Sequence, residues 1–149
     1  MITHRQQLRD VFQTGREMRR LVCSYWGDLG RWLDVPFSYF YRHVCLLPYV
    51  SDPEQVETVS RPIYLLDEEY KPRDCDDKAV LCACWWHGHG VPVRFVAVST
   101  QPSGELNHVF TQLENGLDID ATYREYVNYM GRYPYYPLVT NRENLTGFF

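Results

Sequence analysis

Residues 73–90 read RDCDDKAVLCACWWHGHG. The stretch opens on charge, turns apolar and closes on two glycines. Asp76 and Asp77 stand where first-turn carboxylates favour the positive end of a helix. Ala79, Val80, Leu81, Cys82, Ala83 and Trp85 continue that helix with almost no polar face, so it is expected to be buried. Gly88 and Gly90 are expected to terminate it. Cys75 then lies at the helix's opening, and how that thiol is used decides what the protein does.

The chain downstream is strand-like. VPVRFVAVS (91–99) alternates apolar with small or polar residues and is rich in valine. LNHVFTQL (106–113) reads as a second strand and GLDIDATY (116–123) as a third, joined through Glu114-Asn115-Gly116. Upstream, Leu8, Val11, Phe12, Met18, Leu21, Val22 and Tyr25 recur three and four apart, so residues 5–33 are expected to be helical. Gly15, Gly27 and Gly30 weaken that pattern, which leaves one broken helix or two short ones. Pro36 breaks the chain. FSYFYRHVCLL (37–47) is apolar and aromatic enough for either a helix or a buried strand. Pro48, Pro53 and Pro62 mark 48–62 as loop, and the acidic 67–69 leads into a second loop closed by Pro72. From 125 onward the chain is rich in proline and tyrosine and lacks periodicity. The expectation is one α+β domain over residues 1–149, with an N-terminal helical segment over residues 1–47, a core over 50–124 and an aromatic tail over 125–149.

The bulk numbers narrow the function. With 149 residues the chain can build one real core, and 15% aromatics with 12 tyrosines predict large flat side chains inside it. A net charge of −4 offers no footprint for phosphates, so nucleic-acid binding is not expected. The small basic cluster REMRR (16–20) reads as a solvated helix face. No run approaches the ~18 apolar residues of a membrane span. The start, MITHRQQLRD, has no apolar leader, so the expected location is a reducing cytoplasm. Five cysteines, an odd number, exclude a complete disulfide framework and predict free thiols. No cofactor and no metal is expected.

A thiol attacks only as a thiolate, and a helix N-terminus favours that anion. The Cys75 backbone N–H, pointing into the same space, can serve as one oxyanion donor. Neighbouring aspartates oppose ionisation, so a basic partner is required, and cysteine chemistry usually supplies a histidine oriented by an acid. His4 lies in the polar start and His43 in the aromatic segment. His87 and His89 close the helix that Cys75 opens, about 18 Å away at ~1.5 Å per residue. That leaves His108 on the second strand, with Asp118 and Asp120 on the third. In a two-residue turn Asp120 would oppose Thr111 and face away from His108. A three-residue loop ending on Gly116 instead sets Phe110 opposite Asp120, which becomes the diagonal neighbour of His108 at ~7 Å between backbones. Asp118 shares that face one pair further off. The expected site is therefore Cys75 as nucleophile, His108 as general base and Asp120 as orienter.

Each of these residues also has a plainer reading. Cys75 is otherwise a buried filler, His108 a solvent-facing strand residue and Asp120 a turn carboxylate. Cys82-Ala-Cys84 with His87-Gly-His89 suggests zinc chemistry. Cys82 and Cys84 lie ~200° apart on a straight helix, however, so both cannot face one ion. They read as helix filler, with His87 and His89 capping the helix or flanking the site's rim. Cys23 and Cys45 read as core.

CDDKAVL, then a buried helix, Gly90-Val-Pro-Val-Arg-Phe, Asn107-His108-Val and Leu117-Asp-Ile-Asp-Ala-Thr together resemble the transglutaminase-like cysteine peptidase family. The match spans residues 50–124, roughly half the chain, and fits the small bacterial or phage type. The resemblance implies a papain-like α+β core, with the cysteine on a helix packed against an antiparallel sheet. It implies thiol attack on an amide or ester carbonyl of a peptide or protein substrate, through an acyl-enzyme and without a cofactor. By position Cys75 matches the nucleophile, His108 the base and Asp120 the orienter. Arg73 replaces the family's usual glycine, which is expected to narrow the approach to the thiol. Phe110 stands where tryptophan is common, and the second oxyanion donor is not located. Hydrolysis is favoured over cross-linking. The rival expectation is a catalytically inactive structural or assembly protein, a phage virion component, reusing the fold. In that case the aromatic tail Tyr133-Pro-Tyr-Tyr-Pro would grip a protein partner rather than pack on the sheet.

Overall fold

The computed structural model describes residues 10–51, 59–67, 69, 73–129 and 139–149. Helix α1 (Val11–Tyr25) starts because Asp10 caps it, its Oδ1 accepting the Gln13 N–H at 2.7 Å. Thr14, Gly15, Met18, Leu21 and Val22 form its buried face. The helical stretch is broken, as its glycines suggested: α1 ends at Tyr25 and gives way to a 3-10 segment, Trp26–Asp34, kinked at Gly30 with φ of 56°. Glycine there adopts a left-handed conformation that a side chain would strain. Residues 37–47 resolve as a helix: in α2 (Phe37–Leu46) the buried Phe37, Phe40, Tyr41, Val44 and Cys45 recur at helical spacing. Leu47 turns extended, as a residue before proline should. A single turn, α3 (Pro62–Leu65), follows.

Helix α4 (Cys75–Gly88) is buried without interruption from Asp76 to Trp85. A helix buried on every side needs partners there, and α4 touches α1, the 3-10 segment, α2, α3 and two strands. Gly88 is its last residue and packs against Trp26; Gly90, at φ of 78°, makes the terminating turn.

The sheet has four antiparallel strands in the order β3-β2-β1-β4. β1 (Val93–Ser99) and β2 (His108–Leu113) each start two residues later than expected. β3 is only Asp118–Ile119, because Asp120 leaves the ladder to hydrogen-bond elsewhere. The β2–β3 register pairs Thr111 with Ile119 and Gln112 with Asp118, the three-residue-loop alternative, with Gly116 at φ of 93°. β4 (Asn141–Asn144) lies in the stretch expected to be aperiodic and completes the sheet beside β1. Arg124–Asn128 forms a further 3-10 turn. Tyr133-Pro-Tyr-Tyr-Pro falls outside the described residues, as do His4, Leu8, Pro53 and Pro72. Val109 and Leu113 join the main core under α4, while Phe110 packs with Val96 and Val98 on the opposite face. The Thr111 hydroxyl donates to the Ala79 carbonyl at 2.8 Å, pinning β2 to the first turns of α4.

Candidate active site

The start of α4 is fixed from both sides. Asp74 caps it, and Asp77 Oδ2 accepts the Asp74 N–H at 3.0 Å in a capping box. Before it, Arg73 exchanges backbone hydrogen bonds of 2.6 and 2.9 Å with Val50. Its side chain is fully buried, and its guanidinium donates to the carbonyls of Leu65 at 2.9 Å, Pro48 at 3.3 Å and Asp67 at 2.5 Å. Arg73 therefore points into the protein and ties two segments, one at Pro48 and one at 65–67, to the helix start. This corrects the expectation that it narrows the approach to the thiol.

His108 opens β2 with its Nε2 2.5 Å from Asp120 Oδ2. Asp120 is 2% exposed. Its other oxygen accepts the Thr122 N–H at 3.0 Å and the Thr122 hydroxyl at 2.6 Å. Burial alone would raise its pKa, but the His108 and Thr122 hydrogen bonds and the His108 charge outweigh it, so the carboxyl sits below its ordinary value. The Tyr41 hydroxyl lies 2.7 Å from the carbonyl oxygens of both Asp120 and Tyr126, which anchors the Asp120 backbone to α2.

Cys75 and His108 line one cavity of about 380 Å³. The thiol is half-buried and its S–H faces Asp76 Oδ1 at 3.7 Å. Burial pushes the Cys75 pKa well up, and the Asp76 and Asp74 charges add to it; the Val109 N–H opposes them without prevailing. Burial and the two carboxylates thus disfavour the thiolate, against the pull of the helix N-terminus. The structure brings Cys75, His108 and Asp120 into one place from three separate segments.

Sequence reasoning missed Tyr49 and Tyr123. Their rings stand 5.2 Å apart, and the Cys75 sulfur perturbs both phenols, whose pKa values rise chiefly through burial. Tyr49 precedes the bridge residue Val50, which sets it beside Asp74. No periodic signal marks either tyrosine, although Tyr123 follows Asp120 closely enough to have been suspected. Lys78, one turn into α4, is likewise buried; its Nζ donates to Leu47 O at 2.8 Å and Cys45 O at 3.3 Å. Burial brings its pKa down to about 8.

The remaining histidines and cysteines stand apart from the site. His89 stacks on Trp85 at 3.9 Å and hydrogen-bonds its carbonyl at the far end of α4, where His87 packs near Phe149. They cap and cover that end rather than flank the rim of the Cys75 cavity. His43 stacks on Trp32. Cys45, Cys82 and Cys84 are buried, but Cys23 is exposed, which corrects its reading as core. Phe110 lies under the Arg142 guanidinium, 5.3 Å from its ring centroid. Among the described residues no helix is long and apolar enough to cross a membrane. No protein-family model, curated protein or solved structure matches the chain.

Proposed function

We propose that the protein is a thiol-dependent acyl hydrolase or transferase acting on a peptide amide, with the papain-like arrangement that its resemblance to transglutaminase-like cysteine peptidases implies. One observation carries this reading: Cys75, on the first turn of α4, shares a cavity with His108, whose Nε2 is held 2.5 Å from a buried Asp120. Asp120 occupies Nε2, which assigns Nδ1 to the sulfur. His108 takes the thiol proton as the sulfur bonds to the carbonyl carbon, and the carbonyl electron pair moves onto oxygen. The Cys75 N–H, on the helix's first turn, stands ready for that oxyanion. Collapse breaks the C–N bond, and His108 returns its proton to the leaving amine. Water, deprotonated by His108, then splits the thioester; an amine in its place gives transfer.

Acylation by p-nitrophenyl acetate, read by mass spectrometry at each cysteine, tests the proposal. Cys75 should acquire the acetyl group, and His108→Ala should slow that step at least about tenfold. Acylation that ignores His108, or falls equally on the other cysteines, defeats it. A second reading, the inactive structural or assembly protein, draws support from the raised thiol pKa, and an inert Cys75 would favour it.

A further inference from the structure

The cavity at Cys75 has a composition that goes beyond the three proposed catalytic groups. Asp10, Asp76 and Glu105 contribute three carboxyl groups to its lining. Among the described residues no lysine or arginine lines it. Asp10 and Glu105 are exposed and stand at the rim, whereas Asp76 is 3% exposed beside the sulfur. Between these charges the wall is aliphatic: Val11, Leu106 and Val109. The other polar side chain, Asn107, is occupied by the neighbouring loop, with its Nδ2 donating to Thr100 Oγ1 at 3.0 Å and its Oδ1 accepting the Thr100 N–H at 2.9 Å.

An apolar channel ending in carboxylates complements a long methylene stem with a cationic head, because such side chains bury the stem and keep the charge at the edge. A neutral side chain would gain no charge pairing from the rim carboxylates, and an acidic one would be repelled by them. Resting on the thiol-acyl reading above, we infer that the acyl group attacked by Cys75 belongs to a lysine or arginine residue. Its stem lies along Val11, Leu106 and Val109, and its head reaches Asp10 and Glu105. The rim acids that choose the substrate's charge, Asp10 and Glu105, are distinct from Asp76 and Asp74, whose charges disfavour the thiolate. A cationic side chain bound there sets a positive charge near the nucleophile when the thiolate must form.

The p-nitrophenyl esters of acetyl-arginine, acetyl-citrulline, acetyl-norleucine and acetyl-glutamate test this, each read as acylation of Cys75 with the Cys75→Ala background removed. Citrulline matches arginine in shape without its charge. The arginine ester should acylate at least about tenfold faster than the citrulline ester. In Asp10→Asn/Glu105→Gln the arginine-to-citrulline ratio should fall to about two or less. Asn retains the capping oxygen that starts α1, so the double variant should fold. Glu105→Lys should raise the glutamate ester's rate relative to arginine's. Equal arginine and citrulline rates, with p-nitrophenyl acetate still acylating Cys75 through His108, overturn the inference and leave the proposed function standing. Faster turnover with added alkylamine, without an arginine preference, makes the cleft an acceptor-amine site and also overturns it. If no ester acylates Cys75, the proposed function falls and the inference falls with it.

Discussion

Replacing Asp76 with asparagine should awaken the Cys75 thiol. The carboxylate oxygen lies 3.7 Å from the sulfur and accepts a hydrogen bond from its S–H, so it both repels a thiolate and stabilises the thiol. Across 3.7 Å, two unit charges interact by about 1 kcal/mol at the dielectric of water and about 4.5 kcal/mol at an effective constant near ~20. Removing that repulsion therefore lowers the thiol pKa and favours the thiolate by about the same energy. A thiolate of lower pKa is also a weaker nucleophile, with a Brønsted slope of about 0.5, so roughly half the gain survives in rate. Alkylation of Cys75 by iodoacetamide at neutral pH should accordingly rise about three- to thirtyfold in Asp76→Asn. The assay counts label at each cysteine by mass spectrometry, and buried Cys82 and Cys84 serve as internal references. Loss of a buried first-turn carboxylate costs the helix up to about 2 kcal/mol, which a thermal melt will register. An unchanged or slower rate would refute the claim that Asp76 helps keep the proton on sulfur.

The remaining predictions concern stability. The Asp120 pKa is lowered, so its contribution is complete above the ordinary carboxyl value of 3.8 and drains away as pH falls through the lower folded value. Wild type should exceed Asp120→Asn by about 1–3 kcal/mol in urea unfolding at neutral pH, and the gap should narrow below about pH 4. Arg73→Met leaves the carbonyls of Leu65, Pro48 and Asp67 without their donor, and urea unfolding should show a loss of about 3 kcal/mol or more. Gly15→Ala would set a Cβ 2.8 Å from Leu145 Cβ and should cost about 1–3 kcal/mol in a thermal melt. Gly27→Ala, with no atom within 4 Å of the added Cβ, should be neutral or stabilising by up to about 1 kcal/mol.

The helix at Cys75 was legible because a charged opening, an apolar run and a glycine stop each have one simple explanation. The β2–β3 register was legible too, since the position of Gly116 favours a three-residue loop, and that choice alone sets Asp120 diagonal to His108. Helix and strand could not be separated in 37–47, because aromatic residues bury equally well in either; the partners that α2 finds in α4 decide it. β4 was invisible: Asn-Arg-Glu-Asn has no apolar alternation, and its place comes from pairing with Val96–Ser99 far back in the chain. The brevity of β3 was equally hidden, because Tyr41 and Thr122 draw Asp120 out of the ladder. Cys23 looked like core by residue type, yet it falls on the outer face of α1.

A guanidinium keeps its charge at any accessible pH. Arg73 holds that charge out of water and satisfies it with backbone oxygens from two separated segments, Pro48 in one and Leu65 and Asp67 in the other. A fluctuation that releases one of those segments leaves a poorly solvated cation, which loosens the other. The neighbourhood of the nucleophile therefore unlatches as one cooperative unit, and the Val50 and Arg73 amides, bonded to each other's carbonyls, should exchange their hydrogens through a shared opening event.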